Sequence, residues 1–329
     1  MEKGAISRVY AERNFRLFTV GSVVSWLAFF VQMLAVSWLT WELTHSSAWL
    51  GIIAFLDTAP FFLFGPIGSV LTDRMDRYKL LLAAESCALV RALALALASA
   101  SGLLDIHLLA ALTFIHGMIH AFGVPAQFGL LPRAVSKANL CPAIAINSAY
   151  RTLAMFAGPA LAGIVLAWFP VYTAFLINAF GYVVYLAVLM MMGLPPAARA
   201  EPSGKGYYGD YIDGLRYTIA HPAIALLFLL TFFNDGLRGI TGRLLPAFAD
   251  KVFGLGSTGL AILAGATGIG AAIASIWLAQ RQRPKRTSLI ALWSIGGAIA
   301  TTLLLSQRII SGSRSRLPCL HIYGFALNK

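Results

Sequence analysis

Charged residues are scarce in this chain of 329 residues, because Asp, Glu, Lys and Arg together make up only 12% of it. Soluble domains carry about twice that share. Hydrophobic residues make up 59%, the mean hydropathy is +0.77, and the hydrophobic residues come in long blocks instead of recurring at the spacing of a soluble core. The composition therefore predicts a membrane protein and argues against a soluble enzyme.

Cysteine is also scarce. The three cysteines, Cys87, Cys141 and Cys319, are odd in number and far apart, so they predict neither a disulfide framework nor a Cys-x-x-Cys metal site. A GxxxxGKS or GxxxxGKT phosphate-binding loop is absent as well, which argues against ATP-driven transport by this chain alone. We predict no enzyme activity, no metal and no cofactor.

Nine apolar segments are long enough to cross a bilayer as helices, which need about 20 residues for a hydrocarbon core of about 30 Å. Transmembrane β-strands would be shorter and would alternate polar with apolar residues. The predicted fold class is therefore all-α, a polytopic membrane helical bundle. The segments, numbered one to nine in chain order, are Leu17–Thr40, Trp49–Leu71, Leu80–Ser101, Leu108–Leu130, Ile146–Phe169, Val171–Met192, Ala223–Phe248, Thr258–Ala279 and Leu289–Ser306.

Basic residues outnumber acidic ones by 25 to 13, which gives a formal net charge of +12. Sixteen of the basic residues lie in the N-terminus and in the loops on its side of the membrane, whereas the opposite loops contain one, Lys251. Because basic residues concentrate in cytoplasmic loops, the N-terminus is predicted to be cytoplasmic. The partner that this pattern indicates is the lipid bilayer and not a nucleic acid.

The longest connection between apolar segments divides the chain into predicted parts. Residues 1–193 form a six-helix N-terminal bundle, and residues 194–221 form a cytoplasmic linker. The linker contains a short amphipathic helix that we expect to lie along the membrane face. Residues 222–306 form a partial C-terminal bundle of three helices, and residues 307–329 form an atypical basic tail.

The tail does not fit the rest of the pattern. Nine spans from a cytoplasmic N-terminus place it outside, yet it contains Arg308, Arg314, Arg316 and Lys329 and no acidic residue, against the charge rule. Apolar segments also stop abruptly after Ser306. We therefore expect a reading-frame disruption near codon 306, with a genuine short form as the alternative.

The stretch GPIGSVLTDRMDRYK, Gly65 to Lys79, is the sharpest local motif. Its small residues Gly65, Gly68 and Ser69 would let a neighbouring helix approach closely. The following turn alternates acidic and basic residues, whereas topology alone requires only basic ones. The motif predicts switchable ion pairs at a cytoplasmic gate, with an ordinary positive-inside loop as the alternative.

Gly68 to Lys79 resembles the signature GGVLADRxDRR that joins helices two and three in the major facilitator superfamily, in its enterobactin-exporter-like and macrolide-efflux-like bacterial branch. Three further stretches match that branch: NFRLF at Asn14 to Phe18, LTHSSAWLG at Leu43 to Gly51, and LLPRAVSKANLCPAIAINS at Leu130 to Ser148.

The resemblance implies a secondary transporter of the bacterial inner membrane, with two helix bundles and alternating access. Such a protein would export a small amphiphilic molecule, such as a drug, siderophore or metabolite, in exchange for protons. The resemblance also implies that Asp73 and Arg74 are the gate acid and base, supported by Asp76 and Arg77. Ser69 replaces the usual glycine of the signature.

The fifth apolar segment contains FAGPALAG, which resembles the exporter motif GPxxGG. Pro159 removes a helix hydrogen bond and bends the helix, so Gly158, Pro159 and Gly163 are predicted to form a hinge. The alternative is a tolerated membrane proline with no role in motion.

Nine ionisable residues lie inside apolar segments. Each costs roughly 2.5–3.5 kcal/mol at the centre of a membrane helix if it is Asp, Lys or Arg, so together they predict an internal polar cavity. Asp57 or Glu85 could bind the coupling proton, although Glu85 could instead reach the lipid headgroups. Asp235 and Arg238 are expected to pair on one helix face. The nine residues are Asp57, Glu85, Arg91, His116, His120, Arg151, Asp235, Arg238 and Arg243.

His116 and His120 lie four residues apart and are expected to face the same way. Such a pair supplies only two metal ligands, so helix–helix hydrogen bonding or a proton relay is favoured over a metal site. The second hypothesis for function is a non-transporting membrane protein, either a degenerate truncated transporter or a membrane metalloenzyme that uses these histidines.

Overall fold

The computed structural model describes residues 5–194, 207–222, 224–226 and 242–266, and every regular element in these ranges is helical. A π-helical turn, Phe248–Val252, separates a helix over residues 242–247 from a short apolar helix, Gly256–Ala266. The other helices are α1 (Ala5–Ala11), α2 (Arg13–Thr44), α3 (Ser47–Arg74), α4 (Arg77–Ala100), α5 (Ile106–Ala134), α6 (Leu140–Trp168), α7 (Tyr172–Met191) and α8 (Tyr207–Ala220).

Six helices, α2 to α7, are long and apolar enough to cross a membrane, and they coincide with the first six predicted segments. The predicted all-α membrane bundle is therefore confirmed. Several helices extend beyond the apolar residues; α2 begins at Arg13, for example, although its apolar segment begins at Leu17. Most of segments seven to nine lies outside the described residues.

Helix α2 lies in the middle of the bundle and packs against α3, α5, α6 and α7, while α3 packs along α5 and α4 packs against both α5 and α7. We call the end at which α2 begins the near end and the opposite one the far end. Phe15 and Tyr185 belong to an apolar cluster at the near end, and Trp41 and Phe175 belong to one at the far end. The polar groups described below lie between these two apolar layers.

Glu12 ties the start of α2 to the connection between α5 and α6. Its carboxylate accepts hydrogen bonds from the backbone N–H and hydroxyl of Ser136 at 2.8 and 2.7 Å, and from the Asn139 amide at 2.7 Å. Partial burial raises the pKa of the Glu12 carboxyl, but these three hydrogen bonds outweigh it and leave the pKa below its usual value. The near end is therefore held by an ionised carboxylate at neutral pH.

The linker helix α8 forms where the sequence predicts an amphipathic helix, and it packs against α3. Its apolar residues Ile212 and Ile219 are largely exposed. Exposed apolar side chains on a short helix suit a membrane surface, and the location of α8 along that surface stays a prediction.

Membrane orientation can be tested by labelling single cysteines at the two ends of the bundle. We choose Ser101→Cys at the far end and Ala138→Cys at the near end, because both positions are exposed, in a chain whose natural cysteines are replaced by alanine. The charge distribution predicts that a membrane-impermeant maleimide labels Ser101→Cys in intact cells and Ala138→Cys only after lysis. The reverse pattern would contradict a cytoplasmic N-terminus.

Candidate functional site

A cavity of about 450 Å³ lies inside the bundle between α2, α4, α5 and α7. We call it the aromatic cavity, because rings form much of its wall. The residues that characterise it are Trp26, Phe29, Glu85, His120, Gln127 and Tyr182.

A second cavity of about 260 Å³ lies on the far-end side of the first, and Phe29 borders both. We call it the polar cavity, because charged and amide side chains dominate its wall. Its polar lining consists of Gln32, Asp57, Arg91, Thr113, His116 and Arg243. Four of the predicted intramembrane ionisable residues are thus brought together in one place.

Asp57 is the centre of an ion-pair cluster in the polar cavity. Its Oδ1 lies 2.7 Å from His116 Nδ1 on α5, and its Oδ2 accepts a hydrogen bond from Arg243 Nη2. Pairing of this kind offsets the large cost of removing each charge from water. Because Arg243 follows the linker, the cluster also connects the first six helices to the helix over residues 242–247.

Gln32 is the centre of a second network, formed by α2, α4 and α7. Its side-chain oxygen accepts hydrogen bonds from Arg91 Nη2, at 2.8 Å, and from the Asn178 amide. Buried polar groups need such partners, since an unmade hydrogen bond inside a protein is costly. The network explains how Arg91 can lie within the bundle.

Glu85 faces the aromatic cavity from α4. Its Oε2 atom is buried and has no hydrogen-bond partner within the described ranges. The alternative in which Glu85 reaches the lipid headgroups is therefore wrong. The reason is packing: α4 lies against both α5 and α7, so this face of α4 points into the bundle.

The two histidines of α5 lie side by side, as their spacing predicts, with ring centroids 4.6 Å apart. Phe29 stacks on both rings, at 5.7 Å from His116 and 5.0 Å from His120. His116 Nε2 is buried without a partner among the described residues. In that part of the chain, no three His, Cys, Asp or Glu side chains are grouped so that they could hold a metal ion.

The gate motif is only partly described, because the side chains of Asp73 and Arg74 lie outside the described residues. Asp76 caps α4 by accepting a hydrogen bond from the Tyr78 N–H at 3.0 Å and also accepts one from Arg133 at 3.2 Å. Arg77 donates to the Thr72 carbonyl at 3.4 Å and the Gly129 carbonyl at 3.3 Å. Asp76 and Arg77 therefore join α3, α4 and α5 at the near end.

Of the three small residues before the gate, Gly68 is the one that lies at a close approach between two helices of the described ranges. A Cβ atom on Gly68 would collide with the backbone carbonyl of Ala121 on α5, whereas one on Gly65 would contact nothing among the described residues. Ser69 is exposed and its hydroxyl donates to the Gly65 carbonyl at 3.0 Å. Gly65 and Ser69 face away from the α5 contact, so a close approach of another helix to them stays a prediction.

The predicted hinge residues lie in α6, which remains continuous through Pro159. Gly158 packs against Phe30 of α2, and Gly163 packs against Ala261 of the short helix Gly256–Ala266. These contacts show close packing of α6 on both sides, and a role in bending stays a prediction.

The remaining predicted site residues are Arg151 and the pair of Asp235 and Arg238. Arg151 lies over the ring of Trp26, at 4.8 Å, and near that of Phe128, at 5.5 Å, so it reaches an edge of the aromatic cavity. The predicted pair of Asp235 and Arg238 lies outside the described residues.

The far end contains a further connection to the part of the chain after the linker. Trp41 at the end of α2 donates its indole N–H to Asp250 at 2.9 Å, and the Lys251 ammonium lies 4.8 Å from the centre of the Trp41 ring. Asp250 and Lys251 belong to the π-helical turn, an irregularity that is often found at functional positions. The first six helices thus contact the part of the chain after the linker through Asp57, Trp41 and Gly163, among other residues.

Sequence reasoning based on charge alone missed Gln32, Asn178 and Tyr182. Each is a neutral polar side chain inside an apolar segment, and all three are buried among the site residues. Polar amides within apolar spans are the signal that would have found Gln32 and Asn178, because they too need partners in a membrane.

Comparison with known proteins agrees with this architecture. The profile of the Transmembrane secretion effector family matches residues 8–317. The chain is 24% identical to the staphyloferrin A transporter of Staphylococcus aureus, over 72% of this chain and 60% of that protein, and 29% identical to the enterobactin exporter EntS of Salmonella typhi, over 86% and 67%.

A solved structure is also similar: a bacterial homologue of the human lysosomal transporter Spinster, in an inward-facing and unoccupied conformation. The TM-score is 0.58 at 17% sequence identity, and the match covers 84% of this chain and 61% of the other. The chain thus spans between 60% and 67% of the length of these similar proteins. The family profile covers most of the chain, and the chain belongs to the Transmembrane secretion effector family of the major facilitator superfamily.

Proposed function

We propose that this protein is a secondary transporter that exports a small amphiphilic molecule from the bacterial cytoplasm in exchange for protons. The observation that carries the proposal is a pair of adjoining cavities inside the membrane bundle, one aromatic and one charged. Buried ionisable groups are expensive in a membrane and usually mark a transport pathway. The similarity to an enterobactin exporter supports export. Together with the similarity to a staphyloferrin A transporter, it makes siderophores one class of substrate to test.

The proposed site for the coupling proton is Asp57, with Glu85 as the second carboxylate on the pathway. Asp57 holds Arg243 in an ion pair only while it is ionised, because a protonated carboxyl loses the attraction of the guanidinium. Proton binding to Asp57 would therefore weaken the connection between α3 and the part of the chain after the linker. This links protonation to a movement of one part against the other, as alternating access requires.

In this proposal the near end is cytoplasmic and the gate residues Asp73 and Arg74 act there. The contacts from Trp41 to Asp250 and from Gly163 to Ala261 lie toward the far end, which would be external. They suit a conformation that is closed to the outside. Residues 1–193 would then move as one bundle, residues 194–221 as the linker, and residues 222–306 as part of the opposing bundle.

The function is tested by an efflux screen in cells that express the protein, with amphiphilic dyes, drugs and siderophores as substrates. We expect at least one compound to accumulate less than in cells with an empty vector, and an uncoupler that dissipates the proton gradient to abolish the difference. An efflux that is insensitive to the uncoupler would contradict proton antiport. If no compound is extruded and the purified protein contains a stoichiometric metal ion, the metalloenzyme hypothesis replaces transport.

A further inference from the structure

We propose that the polar cavity is an anion-binding subsite that receives a carboxylate or a similar acidic group of the exported molecule. The apolar or aromatic body of the molecule would lie in the adjoining aromatic cavity. The inference rests on the proposed export function and adds the charge class of the substrate.

The first support is a pair of buried nitrogen atoms that lack partners. Arg91 is 4% exposed and His116 is 5% exposed, and both line the polar cavity. Arg91 Nη2 donates to Gln32 and His116 Nδ1 bonds to Asp57, but Arg91 Nε and His116 Nε2 have no hydrogen-bond partner among the described residues. A buried donor without an acceptor is costly, so these atoms are suited to bind a group that enters the cavity.

The second support is the balance of charge around the cavity. The described lining of the cavity contains two guanidinium groups, those of Arg91 and Arg243, and one carboxylate, that of Asp57. Asp57 is already shared between Arg243 and His116. Arg91 is attracted by Asp57 across the cavity, but its hydrogen bond goes to the neutral Gln32, so an incoming anion would supply a carboxylate in direct contact with it.

The chemistry of the donors fits an acidic group in particular. The Arg91 Nε–H can only donate a hydrogen bond, which requires an acceptor such as a carboxylate oxygen. His116 directs Nδ1 toward Asp57, so its Nε2 donates when the ring is an imidazolium and accepts when the ring is neutral. Nε2 can therefore contact either the ionised or the protonated form of the same acid.

The arrangement of the two cavities specifies the rest of the ligand. Phe29 borders both cavities, and Trp26 and Tyr182 provide further rings on the aromatic side. Glu85 lies on the aromatic side as well and offers no positive charge to an acidic group there. A ligand with one acidic end and an aromatic body is thus accepted in one orientation, with the acid beside Arg91.

Three probes of the same shape test the proposal: benzoate, benzamide and benzylamine, which are anionic, neutral and cationic. Binding to the purified protein in detergent is measured by isothermal titration calorimetry. We expect benzoate to bind about tenfold or more tighter than benzamide, since a hydrogen bond to a charged group contributes roughly 1.4 kcal/mol or more. Benzylamine should bind most weakly.

The variant Arg91→Gln should remove the preference for benzoate over benzamide. The control Lys137→Gln removes one positive charge from an exposed position at the near end and should keep the preference. Because Arg91→Gln could unfold the protein, Arg91→Lys is measured in parallel; it retains the charge and should retain the preference at reduced affinity.

Equal binding of benzoate and benzamide, or no binding of benzoate, would overturn the anion subsite. A preference for benzoate that survives in folded Arg91→Gln protein would also overturn it. These outcomes are independent of the efflux screen: selective benzoate binding without export would contradict the proposed function only, whereas export without anion selectivity would contradict this inference only.

Discussion

Replacing Asp57 with asparagine is expected to destabilise the protein by about 3–5 kcal/mol, the usual cost of removing one partner of a buried ion pair. The amide would leave both His116 and Arg243 without a carboxylate inside the bundle. Thermal unfolding of the purified protein, followed by tryptophan fluorescence, measures the effect. In the proposed transporter the same variant should also lose the dependence of export on external pH, because the group that binds the proton is gone.

Two further variants distinguish the effect of losing the ion pair from the general effect of replacing an acidic residue. Glu42→Gln makes the same chemical change at an exposed position and should leave the unfolding temperature unchanged. The double variant Asp57→Asn with Arg243→Gln removes both the carboxylate and its cation, so it should be more stable than Asp57→Asn alone. A double variant with the summed loss of the two single variants would mean that Asp57 and Arg243 act independently.

The helices of this protein could be predicted from the sequence because the bilayer sets their length. An apolar run of about 20 residues has few alternatives to a spanning helix, and the run from Leu17 to Thr40 accordingly lies inside α2. The ends of α2 could not be predicted in the same way. Arg13 lies beyond the apolar run, where residues can be either helical or irregular.

The partners of the buried charges could not be predicted from the sequence. Asp57 and His116 are 59 positions apart and meet only because α3 packs on α5, and Arg243 is 186 positions from Asp57. Helical spacing relates residues within one helix and gives no information on which helices are neighbours. The charged residues in the apolar segments therefore predicted a polar interior. The division into an aromatic and a polar cavity depends on which helices pack together, and this could not be predicted from the sequence.

The close packing of α3 on α5 is carried by two glycines, one on each helix. A Cβ atom on Gly68 would collide with the Ala121 carbonyl, and one on Gly117 would collide with the Asp57 carbonyl. Backbone atoms cannot move aside as a flexible side chain can, so a methyl group must push the helices apart. The Asp57 to His116 contact lies at this interface and depends on the approach.

We therefore expect Gly68→Ala to destabilise the protein by on the order of 1–3 kcal/mol, the usual cost of overfilling a packed contact. Gly51→Ala is the matched control, since it makes the same change on α3 at a position where a Cβ atom would contact nothing among the described residues, and Gly51 does not precede a proline as Gly65 does. The control should be neutral or slightly stabilising, because alanine favours helix more than glycine does. Thermal unfolding of both variants measures the difference: if Gly51→Ala were as damaging as Gly68→Ala, the loss would come from helix α3 itself and not from its contact with α5.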